Sequence, residues 1–193
     1  MNDTAAAASI EAILVATRRV IAERGPDHVR MSAIATAAGV SRPTLYKWFP
    51  TKEQLLLAFR RYEEEQFDLR LREAIDAQRT PARKLDAALR LLVTYLDGRM
   101  GPDPIGVDPA SAIHSLARGL ERQRESLVRQ LGDAFDAVPA VQRGHLAPAH
   151  AADLLLRVAY SHYLLPHPEP EVLLADLRAL AGLPRRSMTR ATG

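Results

Sequence analysis

Hydrophobic residues recur every three or four positions along most of this 193-residue chain. Such spacing places apolar side chains on one face of an α-helix, and no stretch alternates for long with the period of two that indicates a β-strand. The first apolar stripe spans residues 10–21, with Ser9 as a candidate N-cap before it and Gly25-Pro26 as a stop after it. We therefore predict an all-α fold that begins with a flexible arm, residues 1–8, followed by this helix.

Helix starts and stops of the same kind predict the rest of the chain. A capping box begins a long helix at Thr51, where the hydroxyl and the side chain of Gln54 can each bond a free amide. Gly119 divides a later helical stretch in two, and residues 100–109 form a loop rich in proline and glycine. The other predicted helices are 31–38, 42–47, one beginning at Pro81, 148–165 and 169–182.

Charge is distributed unevenly along the chain, although the formal net charge is only +3. Residues 1–52 hold seven Lys/Arg and four Asp/Glu, whereas residues 53–184 hold 16 basic and 19 acidic residues. A basic segment joined to a mildly acidic body is typical of a DNA-binding domain with a second domain, although solvated helix faces also look this way. We predict a DNA-binding domain at 1–52, a helical body at 53–184 and a disordered basic tail at 185–193.

Several classes of protein are disfavoured by what the sequence lacks. There is no cysteine, which excludes disulfides and thiolate metal sites. No run of 18 apolar residues occurs and the N-terminus has no basic start of a secretory signal, so we expect a cytoplasmic protein with no membrane partner. The histidines lack metal-ligand spacing, and there is neither a nucleophile motif nor a phosphate-binding glycine loop. We therefore predict no metal, no cofactor and no enzymatic activity.

The densest pattern lies at residues 34–49, IATAAGVSRPTLYKWF, where two short helices would cross at a tight turn. Ala35 is small enough for a close crossing, and Gly39 tolerates the positive φ that the turn requires. Ser41 is a good N-cap for the second helix, and Pro43 fits its first turn. These features predict a helix-turn-helix whose second helix enters the major groove of DNA.

The start of that second helix carries the predicted DNA contacts, because its N-terminal residues read base edges. Arg42 can bond a guanine through two hydrogen bonds, whereas Lys47 is placed for a phosphate. The alternatives are that Tyr46 and Trp48 anchor the small core and that the lysines are merely solvated. The residues that we predict at DNA from this placement are Arg42, Pro43, Thr44, Tyr46, Lys47 and Lys52.

The run from Ile34 to Lys52 resembles the DNA-binding domain of the TetR family of regulators. It contains I-A-x-x-A-G-V-S, then L-Y-x-W-F, then x-x-K-E-x-L, and the likeness covers roughly residues 9–57. One departure is Arg30, which stands where the family often has a capping Thr or Ser, and its charge can replace their phosphate contact. The resemblance implies that the residues at DNA include Ser41, Thr44, Tyr46, Lys47 and Lys52.

The resemblance also implies that the last two helices pair with those of a second copy, so that a homodimer binds a palindromic operator. The apolar faces of these helices agree with such a bundle, although they could equally face the chain's own core. The predicted interface residues are Ala151, Ala152, Leu155, Ala159, Leu173, Leu174, Leu177 and Leu180.

A pocket among the middle helices would make the protein responsive to a small-molecule effector. Its expected lining is rich in leucine, which favours a hydrophobic ligand, although such stripes are more often core. We predict a repressor that an effector releases from its operator; the alternatives are a regulator without an effector, an activator, and an enzyme with an incidental helix-turn-helix. The predicted lining residues are Leu89, Leu92, Val93, Leu96, His114, Leu116, Leu131, Phe135 and His162.

Overall fold

The computed structural model of the chain describes residues 2–24, 29–97, 109–165 and 169–184. Within these ranges the backbone forms helices and their connections and no β-strand, so the all-α prediction is confirmed. The helices, in chain order, are α1 (Asn2–Arg24), α2 (Met31–Ala38), α3 (Arg42–Trp48), α4 (Lys52–Asp76), α5 (Pro81–Asp97), α6 (Pro109–Leu131), a 3₁₀ helix (Gly132–Ala137), α7 (Pro139–Gln142), α8 (Pro148–Leu164) and α9 (Pro170–Leu180).

Two predicted helix boundaries are wrong. Helix α1 begins at Asn2, so the predicted arm is helical from that residue, and the Ser9 hydroxyl donates to the Ala5 carbonyl inside the helix instead of capping it. Helix α6 runs through Gly119 without a break. A glycine inside a helix costs only about 1 kcal/mol relative to alanine, which the packing of a 23-residue helix outweighs.

Some predicted features fall outside the described residues. The predicted basic tail, 185–193, lies there entirely, and so does the predicted loop except for Pro109, the first residue of α6. The sequence analysis did not predict the 3₁₀ helix or α7, which are six and four residues long. Apolar spacing does not reveal such short elements, because they contain at most two turns.

The contacts divide the chain into two compact units. The first unit extends to Phe67, inside α4, whereas we had predicted a boundary at residue 52. Its core joins α1, α2, α3 and the first part of α4, and it is closed by Ile13, Ile34 and Leu45, none of which has exposed surface. The start of α4 therefore belongs to the core of the helix-turn-helix unit.

A buried ion pair connects α1 to α4 within this unit. Arg18 Nε and Nη2 lie 2.7 and 2.5 Å from Oε1 of Glu63, whose side chain is only 7% exposed. Residues 63–65 are three consecutive glutamates, a charge run that is typical of a solvated face, but Glu63 is buried. This residue lies four positions after Phe59 and four before Phe67, so it occupies a core position of the apolar stripe.

Replacing Arg18 with methionine would leave the Glu63 carboxylate buried without its cation. We expect Arg18→Met to lower the free energy of unfolding by about 2 kcal/mol, less than for a fully buried pair because Arg18 is partly exposed. The double variant Arg18→Met/Glu63→Met removes the unpaired charge and should recover most of this loss. Urea denaturation measures both, with Glu65→Gln at an exposed position of α4 as control. A single variant as stable as the wild type would contradict this role of the pair.

The second unit is a helical body formed by the end of α4 and the elements that follow. Helix α5 packs against the 3₁₀ helix and α9, and α6 packs against α8. Asp86 on α5 bonds Arg178 on α9 at 2.5 Å and Arg90 at 3.0 Å. Burial acts to raise the pKa of Asp86, but the hydrogen bonds from the two arginines outweigh it, so the pKa lies below that of an ordinary aspartate.

The end of α9 approaches α7 at a position that only glycine fits. Gly182 has a φ of +67°, and a Cβ placed there would lie 2.6 Å from Cδ of Pro139. The N–H of Leu183 bonds the Arg178 carbonyl at 2.9 Å, which closes the helix in the manner of a Schellman motif. Packing and backbone conformation thus both require the glycine.

The predicted dimer residues divide into two groups. Six of them face the chain's own core, with at most 6% of their surface exposed, and these are Ala151, Ala152, Leu155, Ala159, Leu173 and Leu177. Such residues have no surface left for a second copy. They face the chain's own core, which is the alternative that the sequence left open. Leu174 is partly exposed and Leu180 is 60% exposed. Leu154 and Leu165, which were not predicted, are also exposed.

Candidate nucleic-acid interface

The turn between α2 and α3 has the geometry that its sequence requires. Gly39 ends α2 with a φ of +67°. The N–H of Gly39 bonds the Thr36 carbonyl at 3.2 Å, and the N–H of Val40 bonds the Ala35 carbonyl at 3.0 Å. Ala35 is buried, as expected of a small residue where two helices meet closely. The helix-turn-helix backbone is therefore confirmed.

The beginning of α3 is fixed by its cap. The Ser41 hydroxyl accepts a hydrogen bond from the N–H of Thr44 at 3.2 Å, and Pro43 lies in the first turn. The two hydroxyl oxygens of Ser41 and Thr44 are 2.7 Å apart and share a hydrogen bond. Two hydroxyl groups thus lie side by side at the helix start, which is the part of such a helix that meets DNA.

Helix α3 has one buried face and one exposed face. Leu45 is fully buried and Phe49, just after the helix, nearly so. Tyr46 is 48% exposed, so the alternative that it anchors the core is wrong, whereas Trp48 packs partly buried against the core. Five of the predicted DNA-contact residues in or next to α3 are exposed together, namely Ser41, Arg42, Pro43, Tyr46 and Lys47. Their role at DNA stays a prediction.

The two lysines predicted at phosphates lie in different surroundings. The Lys47 ammonium lies 5.3 Å from the centre of the Trp48 ring, in a cation–π contact. Lys52 is the partly exposed first residue of α4, where the Thr51 hydroxyl accepts from the N–H of Gln54 at 3.2 Å. The Glu53 carboxylate bonds its own backbone N–H and the Thr51 hydroxyl, and these bonds lower its pKa. Some of the donors at this helix start are therefore already engaged.

Arg30 and Arg19 lie at opposite ends of α2. Arg30 occupies the N-cap position without a side-chain cap, and its carbonyl accepts from the N–H groups of Ala33 and Ile34. Its side chain is exposed, as the predicted phosphate contact requires. Arg19 on α1 donates to the Ala37 carbonyl at 2.5 Å, near the C-terminus of α2. A cation at that end is favourable, because the free carbonyls there carry partial negative charge.

The predicted ligand residues are mostly core. Leu89, Leu92, Val93 and Leu96 are buried on α5, and so are Leu131 and Phe135. His162 on α8 is partly buried, whereas the side chains of His114 and Leu116 lie outside the described residues. Their lining of a pocket stays a prediction. The sequence analysis missed buried polar residues on α6, which include Gln123 and Ser126 and which stand at the same helical spacing as its leucines.

An open groove of about 400 Å³ lies in the first unit, and the sequence analysis did not predict it. Leu14 and Phe49 contribute to it, together with a stripe of α4 residues spaced three and four apart, namely Gln54, Leu57, Ala58, Arg61, Tyr62 and Glu65.

None of the described helices is both long and apolar enough to span a membrane. In the described part of the chain, no three His, Asp or Glu side chains cluster as metal ligands would.

The N-terminal part of the chain matches a known protein family. The sequence profile described as bacterial regulatory proteins, tetR family, matches residues 13–59. Over 47 residues the chain is 45% identical to an uncharacterized HTH-type transcriptional regulator of Mycobacterium tuberculosis (strain CDC 1551 / Oshkosh). That alignment spans 24% of this chain and 23% of the relative. The family match extends from within α1 to the first part of α4 and includes the whole helix-turn-helix.

Solved structures of similar fold cover most of the chain. A TetR-like transcriptional regulator from Rhodococcus sp. RHA1 has a TM-score of 0.59 and 21% identity, over 90% of this chain and 93% of its own. AibR, solved in complex with isovaleryl coenzyme A and operator DNA, has a TM-score of 0.59 and 22% identity, over 89% and 97%. At these identities the likeness concerns the fold alone.

Arg42→Ala and Lys47→Ala separate base reading from phosphate binding. We expect Arg42→Ala to lose about 1–3 kcal/mol of discrimination at one base pair, because a bidentate contact to guanine is removed. Lys47→Ala should weaken binding to all sequences and reduce the slope of log K against log salt by about 0.9, the value of one phosphate contact. Fluorescence anisotropy on a preferred and a scrambled duplex at several salt concentrations measures both.

The matched control for this pair is Arg72→Ala, at an exposed position of α4 in the second unit. It should change neither the base preference nor the salt slope. Equal, sequence-independent losses from Arg42→Ala and Lys47→Ala would contradict the division of roles.

Proposed function

We propose, on the premise that residues 13–59 belong to the tetR family of bacterial regulatory proteins, that this chain is a transcriptional regulator that binds operator DNA through α3. The observation that carries the proposal is the exposed face of α3, held in place by a buried Leu45 and a Ser41 cap. In this role Arg42, Pro43 and Thr44 face base edges, and Tyr46 and Lys47 face phosphates.

The regulator acts as a homodimer in this proposal. A helix-turn-helix dimer contacts two half-sites one helical turn apart, which doubles the contacts that a single short helix makes. Support comes from exposed leucines in or next to α8 and α9. Leu154 and Leu180 are 44% and 60% exposed, and exposed apolar side chains that together form a patch mark interaction surfaces.

We propose that the protein represses transcription and that a small molecule relieves this repression. The predicted DNA contacts all lie in the first unit, so the second unit is available for another role. AibR, which has a similar fold, was solved with both isovaleryl coenzyme A and operator DNA, and this supports an effector for the present chain. An effector can act only through a difference in its affinity for the DNA-bound and free states, so DNA weakens effector binding by the same factor.

Selection from a pool of random-sequence duplexes tests the DNA-binding proposal. We expect enrichment of one half-site in two inverted copies whose centres lie about 34–36 Å apart, because a two-fold symmetric dimer presents two α3 helices. Sequencing after several rounds at low salt measures the enrichment. A pool that remains unenriched, with no retained duplex, would refute DNA reading, and a single half-site without a partner would refute the dimer.

Charged substitutions on α8 and α9 test the dimer directly. We expect Leu154→Glu and Leu180→Glu to convert the protein to monomers, because a carboxylate at the centre of an apolar interface loses its hydration without a partner. Sedimentation velocity measures the mass, starting from 21.3 kDa for one copy. Leu69→Glu is the control, since Leu69 is similarly exposed on α4. Dimers that persist in both variants would place the interface elsewhere.

A further inference from the structure

A row of polar side chains lies on the buried face of α6 in the second unit. Gln123, Ser126 and Gln130 are three and four residues apart, so they share one face of the helix with the buried Leu127 and Leu131. Buried positions of this kind ordinarily carry apolar side chains, because a buried polar group is unfavourable unless it is hydrogen-bonded. Gln123 and Ser126 are buried and Gln130 is partly buried, which is unusual for a face that only packs.

Hydrogen bonds satisfy most of this row. The Tyr160 hydroxyl, on α8, donates to Oε1 of Gln123. The Ser126 hydroxyl oxygen lies 2.5 Å from Oδ1 of Asp68, on α4, and 2.9 Å from Nε2 of Gln130. All of these groups belong to the second unit, and Ser126 is only 3% exposed.

The chemistry of these groups fixes the orientation of the Gln130 amide. A carboxylate accepts hydrogen bonds and donates none, so the single hydroxyl hydrogen of Ser126 goes to Asp68. The Ser126 oxygen is then an acceptor toward Gln130, which must present its Nε2–H group. The Oε1 atom of Gln130 consequently points away from Ser126. It is buried and has no hydrogen-bond partner in the described part of the chain.

We propose that Oε1 of Gln130 is the acceptor of an effector subsite for a small, mainly apolar molecule that carries a hydroxyl or N–H donor. The inference rests on the proposed function, in which the body binds an effector. A buried acceptor without a donor is unfavourable, so a ligand that supplies the donor gains from the contact. Leu127 and Leu131, on the same face, offer the apolar surroundings. Gln130 as a whole is only partly buried, so part of its side chain is open to solvent.

Phenol and toluene are the probes for this subsite, because they have nearly the same shape and only phenol donates a hydrogen bond. We expect phenol to raise the melting temperature of the full chain more than toluene does, since binding to the folded state stabilises it by mass action. Gln130→Met retains the length of the side chain and removes the acceptor, so it should cancel the difference between the probes. Gln142→Met, at an exposed position of α7, is the matched control and should preserve that difference.

Two further measurements on the wild-type chain test the subsite if Gln130→Met folds poorly. In the wild-type chain, phenol and not toluene should shift the NMR resonances of the Gln130 side-chain amide. Phenol should also weaken binding to the selected duplex about fivefold or more, the usual lower range of allosteric coupling. Equal effects of phenol and toluene, no effect of either, or a phenol effect that survives in Gln130→Met would overturn the subsite.

The duplex measurement separates this inference from the proposed function. A wild-type chain that binds no duplex contradicts the proposed regulator, whatever the probes do to its melting temperature. A chain that binds the selected duplex and responds equally to both probes contradicts only the subsite. If only a water molecule bonds Oε1 of Gln130, the chain should respond equally to both probes, because the bound water would leave no preference for phenol.

Discussion

The surface of α3 that we propose reads DNA depends on the burial of Leu45. Helix α3 is seven residues long, and a helix of that length is not stable by itself in water. Its position is therefore set by the side chains that it buries, Leu45 and then Phe49, and by the Ser41 cap that defines its first turn. Hydrogen bonds to base edges require donors placed within a few tenths of an ångström. A short helix can meet this requirement only because one of its faces is part of a core.

Polar contacts secure the helices around that core. Arg19 bonds the last turn of α2, and Arg18 holds the buried carboxylate of Glu63 on α4. A carboxylate at a core position contributes less stability than a well-packed apolar residue would. Unlike an apolar residue, the carboxylate requires a partner whose hydrogen-bond donors are suitably placed. The ion pair therefore adds a directional contact between α1 and α4 to their apolar packing.

Local features of the fold could be predicted from the sequence, and features that depend on distant residues could not. Gly39 and Ser41 have roles that depend on the backbone within a few residues, so the turn and the cap were predicted correctly. Glu63 belongs to a run of three acidic residues that suggests a solvated face, whereas its spacing from Phe59 indicates the core position that it occupies. The apolar face of α8 correctly predicted burial, but spacing alone does not tell whether the covering surface is the chain's own.

The polar row on α6 lies beyond what periodicity can show. The Gln130 amide is oriented by its hydrogen bond to Ser126. Ser126 in turn is oriented by its hydrogen bond to Asp68, which precedes Ser126 by 58 residues in the sequence. The sequence predicted a leucine-rich lining that also includes His114 and His162, and hence a hydrophobic ligand. An apolar surface distinguishes ligands that differ by one methylene group by only about 1–3 kcal/mol, whereas a site with a buried hydrogen-bonding group rejects analogues without the matching group far more strongly. A regulator whose body combines both surfaces can respond to one metabolite among many of similar size, because the acceptor excludes molecules that the leucines alone would admit.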